Sequence, residues 1–141
     1  MNIIYDNDNN PKTAPSKAHQ QDAAFDLCAS QIISIHSGGF ATVDTGTRIQ
    51  IPEGYVGLVC SRSGTASKYG VFVLNAPGII DPGYSGTIKV VLGNMGNGVF
   101  NAIPGMRIAQ LLILQNTDAF LSPGLVYGGT RGDNGLGSTG D

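Results

Sequence analysis

Apolar and polar positions alternate with a period of two in several stretches of this chain, and Gly, Pro, Asn and Asp separate the short apolar runs. That period predicts half-buried β-strands. In residues 41–51, Val43, Thr45, Thr47, Ile49 and Ile51 fall on one side, and the pattern stops at Pro52-Glu53-Gly54. Residues 55–60 form an apolar strand that ends abruptly in Ser61-Arg62-Ser63-Gly64. Earlier, Phe25, Leu27 and Ala29 alternate against Asp26, Cys28 and Ser30; residues 32–35 then read as a strand before a Gly38-Gly39 turn. Residues 1–5 predict an edge strand, and residues 6–18, with Pro11 and Pro15, a polar loop. The nearly continuous apolar run 108–114 predicts a strand covered on both faces, interrupted by Gln110. One or two helical turns are expected over 65–69, with Ser63 near the N-cap.

The stretch 75–86, Asn-Ala-Pro-Gly-Ile-Ile-Asp-Pro-Gly-Tyr-Ser-Gly, reads as a β-hairpin arm carrying one acid and one aromatic ring at its far end. Val71, Val73 and Leu74 lead in as a strand, and Pro77-Gly78 breaks it because Pro offers no N–H. Pro82-Gly83 makes a second turn, and residues 87–92 leave as a strand with Ile88, Val90 and Leu92 alternating. Asp81 and Tyr84 are thereby set at a turn. Asp before Pro-Gly is also ordinary turn chemistry, and these residues alone do not decide between the two readings.

Composition narrows the class. With 141 residues the chain is one domain by size; 21 Gly and seven Pro among many Val, Ile and Thr argue for an all-β sandwich or barrel. A net charge of −2 without a Lys/Arg cluster gives no footprint for nucleic acid. No apolar run approaches membrane-spanning length, and Cys28 and Cys60 lack metal-ligand spacing. With no secretory segment at the start, a cytoplasmic protein is expected.

Two segments have an inventory suited to phosphate. Ser61-Arg62-Ser63-Gly64 offers N–H groups, two hydroxyls and a guanidinium; an N-cap with a solvated Arg is the alternative. The tail 131–140, Arg-Gly-Asp-Asn-Gly-Leu-Gly-Ser-Thr-Gly, combines Arg131, two hydroxyls and glycines that allow close backbone approach, or is simply a loose terminus. Gln110 is either a ligand contact or a buried amide satisfied by backbone. Asp26 reads equally as a solvent-facing strand residue. His19 and His36 read as surface residues. No triad order, Walker loop or zinc spacing occurs.

Taken in order, Ala24-Phe25-Asp26-Leu27, Ser61-Arg62-Ser63-Gly64, residues 75–86, Gly105-Met106-Arg107-Ile108-Ala109-Gln110-Leu111 and residues 131–140 resemble the motifs of the trimeric dUTP pyrophosphatases (dUTPases). The resemblance runs from about residue 22 to the end. It implies a distorted jelly-roll or β-sandwich fold with one short helix, a single domain over 1–141, and a mobile arm over 128–141 that closes on the active site. It further implies hydrolysis of dUTP to dUMP and pyrophosphate, which limits uracil in DNA and supplies dUMP for dTMP synthesis. Asp81 matches the carboxylate that activates the attacking water. Tyr84 matches the ring beneath the deoxyribose, and Asn75, with hairpin backbone at Gly78, the group reading the uracil edge. Arg62, Ser63, Gly64 and Gln110 match phosphate contacts. Arg131, Leu136, Gly137, Ser138 and Thr139 match the closing tail. Asp26 matches a residue that holds Mg²⁺ through water. A homotrimer with sites shared between chains is implied as well.

Leu136 stands where the family usually has Phe, Asn134 replaces a usual Gly, and Ala24 a common Gly. A dCTP deaminase shares the fold but needs a Glu on the outgoing strand, and residues 87–92 carry no acid. A nucleotide-gated, protein-binding regulator using the loop 6–21 is the alternative from another class; a catalytically dead homologue fits least. Losing the stacking ring should weaken the closed state. Leu136→Phe is therefore expected to tighten binding of a non-hydrolysable dUTP analogue by about 1 kcal/mol, measured by titration against wild type; equal affinities would refute it.

Overall fold

Short apolar runs between turn residues form short strands, and eleven of them with one helix make up the computed structural model, which describes residues 2–128. In chain order these are β1 (Tyr5–Asp6), β2 (Phe25–Cys28), β3 (Ile33–Ile35), β4 (Phe40–Asp44), β5 (Arg48–Ile49), β6 (Tyr55–Cys60), α1 (Ser63–Tyr69), β7 (Val71–Val73), β8 (Gly78–Ile80), β9 (Lys89–Asn94), β10 (Phe100–Ala102) and β11 (Arg107–Gln115). A four-stranded sheet runs β2-β11-β6-β8 and a three-stranded sheet β4-β9-β7, with the two-stranded pairs β1-β5 and β10-β3 beside them. Every pairing between these strands is antiparallel.

One hydrophobic cluster lies between the two larger sheets. Leu27, Val59 and Leu111 come from the first, and Val43, Val71, Val73, Val90 and Leu92 from the second. The result is a distorted jelly-roll sandwich, as expected. Val43, Thr45, Thr47, Ile49 and Ile51 are all buried. They do not form one strand, however, because the chain turns at Gly46 (φ +66°) between β4 and β5. Alternation records which side is covered and is blind to a corner that preserves it.

β11 is the central strand, bonded to β2 on one side and β6 on the other. Its register with β2 slips between Arg107 and Ala109, so Arg107 opposes Cys28 while Gln110 opposes Asp26. Three steps on β11 thus match two on β2. This bulge brings Arg107 and Gln110 to the same side of the sheet and lets the consecutive residues Ile108 and Ala109 both be buried. Beyond it the covering is incomplete in a single chain, and Leu114 is 45% exposed.

Two expectations need correction. Residues 75–86 are not a hairpin paired with its own flanks. β7 and β9 belong to the three-stranded sheet, whereas β8 between them crosses over and pairs with β6, Val59 opposite Gly78 and Gly57 opposite Ile80. The crossing passes through a cis Ala76–Pro77 peptide. Second, the helix N-cap is Arg62, with extended backbone and no side-chain cap bond; Ser63 is already helical. The guanidinium is engaged elsewhere, as described below.

Gly70 ends the helix at φ +67°, its N–H bonded to the carbonyl of Ala66 at 2.9 Å. A Cβ there would meet the Gly96 nitrogen at 2.7 Å, so both conformation and space require glycine. Asn94, fully buried, organises the loop against which Gly70 packs. Its amide donates to the carbonyls of Ile35 (2.9 Å) and Gly98 (2.8 Å), and its Oδ1 accepts the Gly96 N–H (2.9 Å). Asn94→Ala would orphan three backbone groups and is expected to cost about 2–4 kcal/mol, seen as a lower urea midpoint; an unchanged midpoint would contradict this.

Candidate active site

Asp26 on β2, Gln110 on β11 and Cys60 on β6 stand in one row across the four-stranded sheet, on the face away from the sandwich core. Asp26 is only 15% exposed, and two guanidinium groups share its carboxylate. Arg62 Nε donates to Oδ1 at 2.7 Å and Arg107 Nη1 to Oδ2 at 3.2 Å. Arg62 Nη1 also donates to the Arg107 carbonyl at 3.3 Å. Two guanidinium groups meet one carboxylate at this clamp, and Asp22, whose Oδ2 accepts the His19 N–H at 2.8 Å, adds a second carboxylate to the same lining. Around them lies a cleft of about 460 Å³ lined by Asp22, Asp26, Arg62, Ser63, Gly64, Arg107 and Gln110, among others.

The entrance to α1 is fixed from both sides. Gln110 Nε2 donates to the Ser61 carbonyl at 2.8 Å, and the Ser61 hydroxyl accepts the Val73 N–H at 2.8 Å. Gln110 is thus a half-buried amide satisfied by backbone, with its second N–H still to place. Ser63 and Gly64 are exposed at the mouth of the cleft. Arg107 was not singled out from the sequence as a site residue, since its partner Asp26 lies 81 residues away.

The remaining expected residues gather elsewhere. Asn75 and Asp81 are exposed at either end of β8, and the Asn75 amide lies over Gly78. Tyr84 lines a separate cleft of about 380 Å³ with Arg48, Gln50 and Gly83. Within one chain β8 and β2 are the two outer strands of their sheet, three strand spacings or about 14 Å apart. Continuing the register of β8, Asp81 falls beside Val56, four residues along β6 from Cys60 in the Asp26 row, a further distance of about 13 Å. Asp26 and Asp81 of the same chain are therefore too far apart to serve one reacting phosphate. Arg131, Leu136, Gly137, Ser138 and Thr139 lie outside the described residues.

No group of three or more His, Cys, Asp or Glu side chains among the described residues is placed to hold a metal ion. Each Asp26 oxygen already accepts one guanidinium N–H, and its other lone pair is suited to water. This donor set fits an ion carried by a polyphosphate and reached through its hydration shell, not one caged by protein. No helix among the described residues is long and apolar enough to cross a membrane.

An all-β sandwich with an Arg-Asp-Arg clamp in a cleft on the outer face of one sheet is the class these features define. The chain belongs to the dUTPase family, whose sequence profile matches residues 10–140. It is 40% identical over 131 residues to the deoxyuridine 5'-triphosphate nucleotidohydrolase of Leifsonia xyli subsp. xyli, covering 92% of this chain and 86% of that one. It is 36% identical to the protein of the same name from Clostridium novyi, over 99% of both chains. In structure it resembles the dUTPase of Staphylococcus bacteriophage 80alpha solved with dUPNHPP, at a TM-score of 0.88 and 25% identity over 99% of both chains.

Cys28 is buried beneath this site. Burial, and then the Asp26 carboxylate, push its thiol above the usual range, against the opposing pull of Arg107 and Arg62. A thiol so shielded forms little thiolate at neutral pH. Iodoacetamide at pH 8 should leave Cys28 unmodified in the folded protein and alkylate it in urea, as read by peptide mass spectrometry; comparable labelling in both would contradict the burial.

Proposed function

We propose that this chain hydrolyses dUTP to dUMP and pyrophosphate in a homotrimer with shared active sites. The observation that carries the reading is a family match spanning nearly the whole chain, with Asp81 exposed at the far end of β8 and Asp26 clamped by Arg62 and Arg107 in a cleft of its own. The reaction is in-line attack by a water on the α-phosphate. Asp81 orients that water and takes its proton, as an ionised carboxylate within hydrogen-bond reach would. The P–O bond to the β-phosphate breaks and pyrophosphate departs.

Arg62, Ser63, Gly64 and Gln110 receive the phosphate chain; the unused N–H of Gln110 and the fork of Arg62 are suited to its oxygens. Mg²⁺ bound to the triphosphate would offset its charge, and Asp26 is the group that would reach it through water. Asn75 reads the uracil edge together with the backbone at Gly78. The Tyr84 ring fills the space that a ribose 2′-hydroxyl would need. Residues 128–141 form the arm that closes on the site, with Arg131, Leu136, Gly137, Ser138 and Thr139 as its contacts; closure excludes water and aligns the reacting atoms.

The separation of Asp26 and Asp81 within one chain supports shared sites, in which a second copy brings its β8 turn to the cleft of the first. The apolar side chains left uncovered in one chain support the same assembly: Ile79 is 56% exposed, and Phe120, Leu121, Leu125, Val126 and Tyr127 are 84% exposed or more. In the loop 6–21 Asn7 and Thr13 are buried and the Thr13 carbonyl accepts the Thr47 hydroxyl at 2.8 Å, while most of the other residues are exposed. Nothing in that loop favours the regulator reading over hydrolysis. With Mg²⁺, and offered dUTP, dCTP, UTP and dTTP separately, the protein is expected to release pyrophosphate efficiently from dUTP alone. Asp81→Asn should lower kcat by about 10²–10⁴-fold while still binding dUTP. Ammonia from dCTP, or an Asp81→Asn enzyme of normal kcat, would overturn the reading.

A further inference from the structure

Tyr84 is held at three points, one on its backbone and two on its side chain. Its N–H donates to the Asp81 carbonyl at 3.2 Å, its hydroxyl donates to the Thr87 carbonyl at 2.9 Å, and its ring lies against Gly86. A Cβ on Gly86 would sit 2.7 Å from the Tyr84 oxygen and 2.9 Å from Cζ, so the ring reaches its partner only because residue 86 has no side chain. Thr87 is anchored in turn. Its hydroxyl donates to Asp44 Oδ2 at 2.9 Å, 43 residues away in sequence. Asp44 is itself fixed, since Oδ1 accepts the Gly46 N–H at 2.7 Å and its carbonyl accepts both the N–H (2.9 Å) and the hydroxyl (2.8 Å) of Ser30.

We propose that Asp44 and Thr87 are positioning residues that fix the Tyr84 ring, and so set how strictly the site refuses a ribonucleotide. The inference rests on the reading above, in which Tyr84 packs beneath the sugar. A ring excludes a hydroxyl by occupying its space, and it does so only while its rotamer is fixed. Tyr84 is 43% exposed, so packing alone does not lock it. Its tether is the hydroxyl bond to Thr87; the Thr87 carbonyl is held through the adjoining Ile88 N–H, which donates to the Thr47 carbonyl at 2.8 Å, and the side-chain bond to Asp44 adds a second hold on the same residue. Loosening that chain lets the ring swing aside. The ribonucleotide gains from this, whereas the deoxyribonucleotide has no group to place in the vacated volume.

The test is the ratio of kcat/KM for dUTP over UTP. Thr87→Val removes the hydroxyl at nearly constant volume, and is expected to lower the ratio about threefold to tenfold, the range of one net hydrogen bond. Tyr84→Phe should lower it similarly, and Thr87→Ser, which keeps the hydroxyl, should restore it. Because Thr87 acts through the Tyr84 hydroxyl, the double variant should be no worse than Tyr84→Phe alone. A Thr87→Val ratio equal to wild type, or effects that multiply in the double variant, would overturn the inference. Should Thr87→Val fail to fold, Gly86→Ala displaces the same ring from the other side and must lower the ratio; an unchanged ratio would be equally fatal. A wild type inert toward dUTP would remove the functional reading and this inference together, whereas an active, selective wild type with unresponsive variants would remove only this one.

Discussion

The carboxylate of Asp26 and its two guanidinium partners meet where β2, the entrance of α1 and β11 converge, and most of the cleft depends on that meeting. Arg62 is 36 residues away in sequence and Arg107 is 81, so the clamp forms only once the central strand is in register. A partly buried charge left without its partners is costly, which ties correct pairing of β11 to a satisfied Asp26. The bulge before Ala109 is part of the same arrangement. Without it Arg107 and Gln110 would face opposite sides, and the cleft would lose one of its walls. The bare helix start follows from the residue that stands there. The Arg62 guanidinium carries donors only and cannot accept an N–H of the first turn, so its side chain serves Asp26 instead.

How much of this was legible in the sequence depends on what each signal encodes. Alternating runs were readable, as at Ile88, Val90 and Leu92, all of them buried, because alternation follows directly from one covered face. Partner choice was not. Val71, Val73 and the Ile79-Ile80 pair read as one arm, yet β7 and β8 lie in different sheets, since burial pattern says nothing about which neighbour supplies hydrogen bonds. The site residues were found through motifs, each marking a local backbone shape. Arg107 stood inside such a motif and was passed over, because its importance lies in a contact across the sheet. Asn94 was missed for a similar reason. Between Gly93 and Met95 it reads as a turn residue, and only the fold makes it the acceptor and donor for three backbone groups.

The crossing of the chain from one sheet to the other and back has a functional side. β8 is an edge strand, bonded to β6 alone, and the turn after it projects Asp81 away from the clamp of its own chain. On the proposed reading, an acid carried on one edge strand is free to approach another molecule, while the Asp26 clamp lies at the opposite edge of the same sheet, on β2 and its neighbour β11. The topology that separates the two within one chain would then let them meet between copies.

The uncovered apolar side chains from Phe120 to Tyr127 carry a consequence for the protein as a population of molecules. On the trimeric reading, much of their burial is available only from neighbouring copies. The free energy of the folded state then contains a mass-action contribution, and resistance to heat or denaturant rises with the amount of protein present. Dilution, with no change of sequence or solvent, is enough to weaken it.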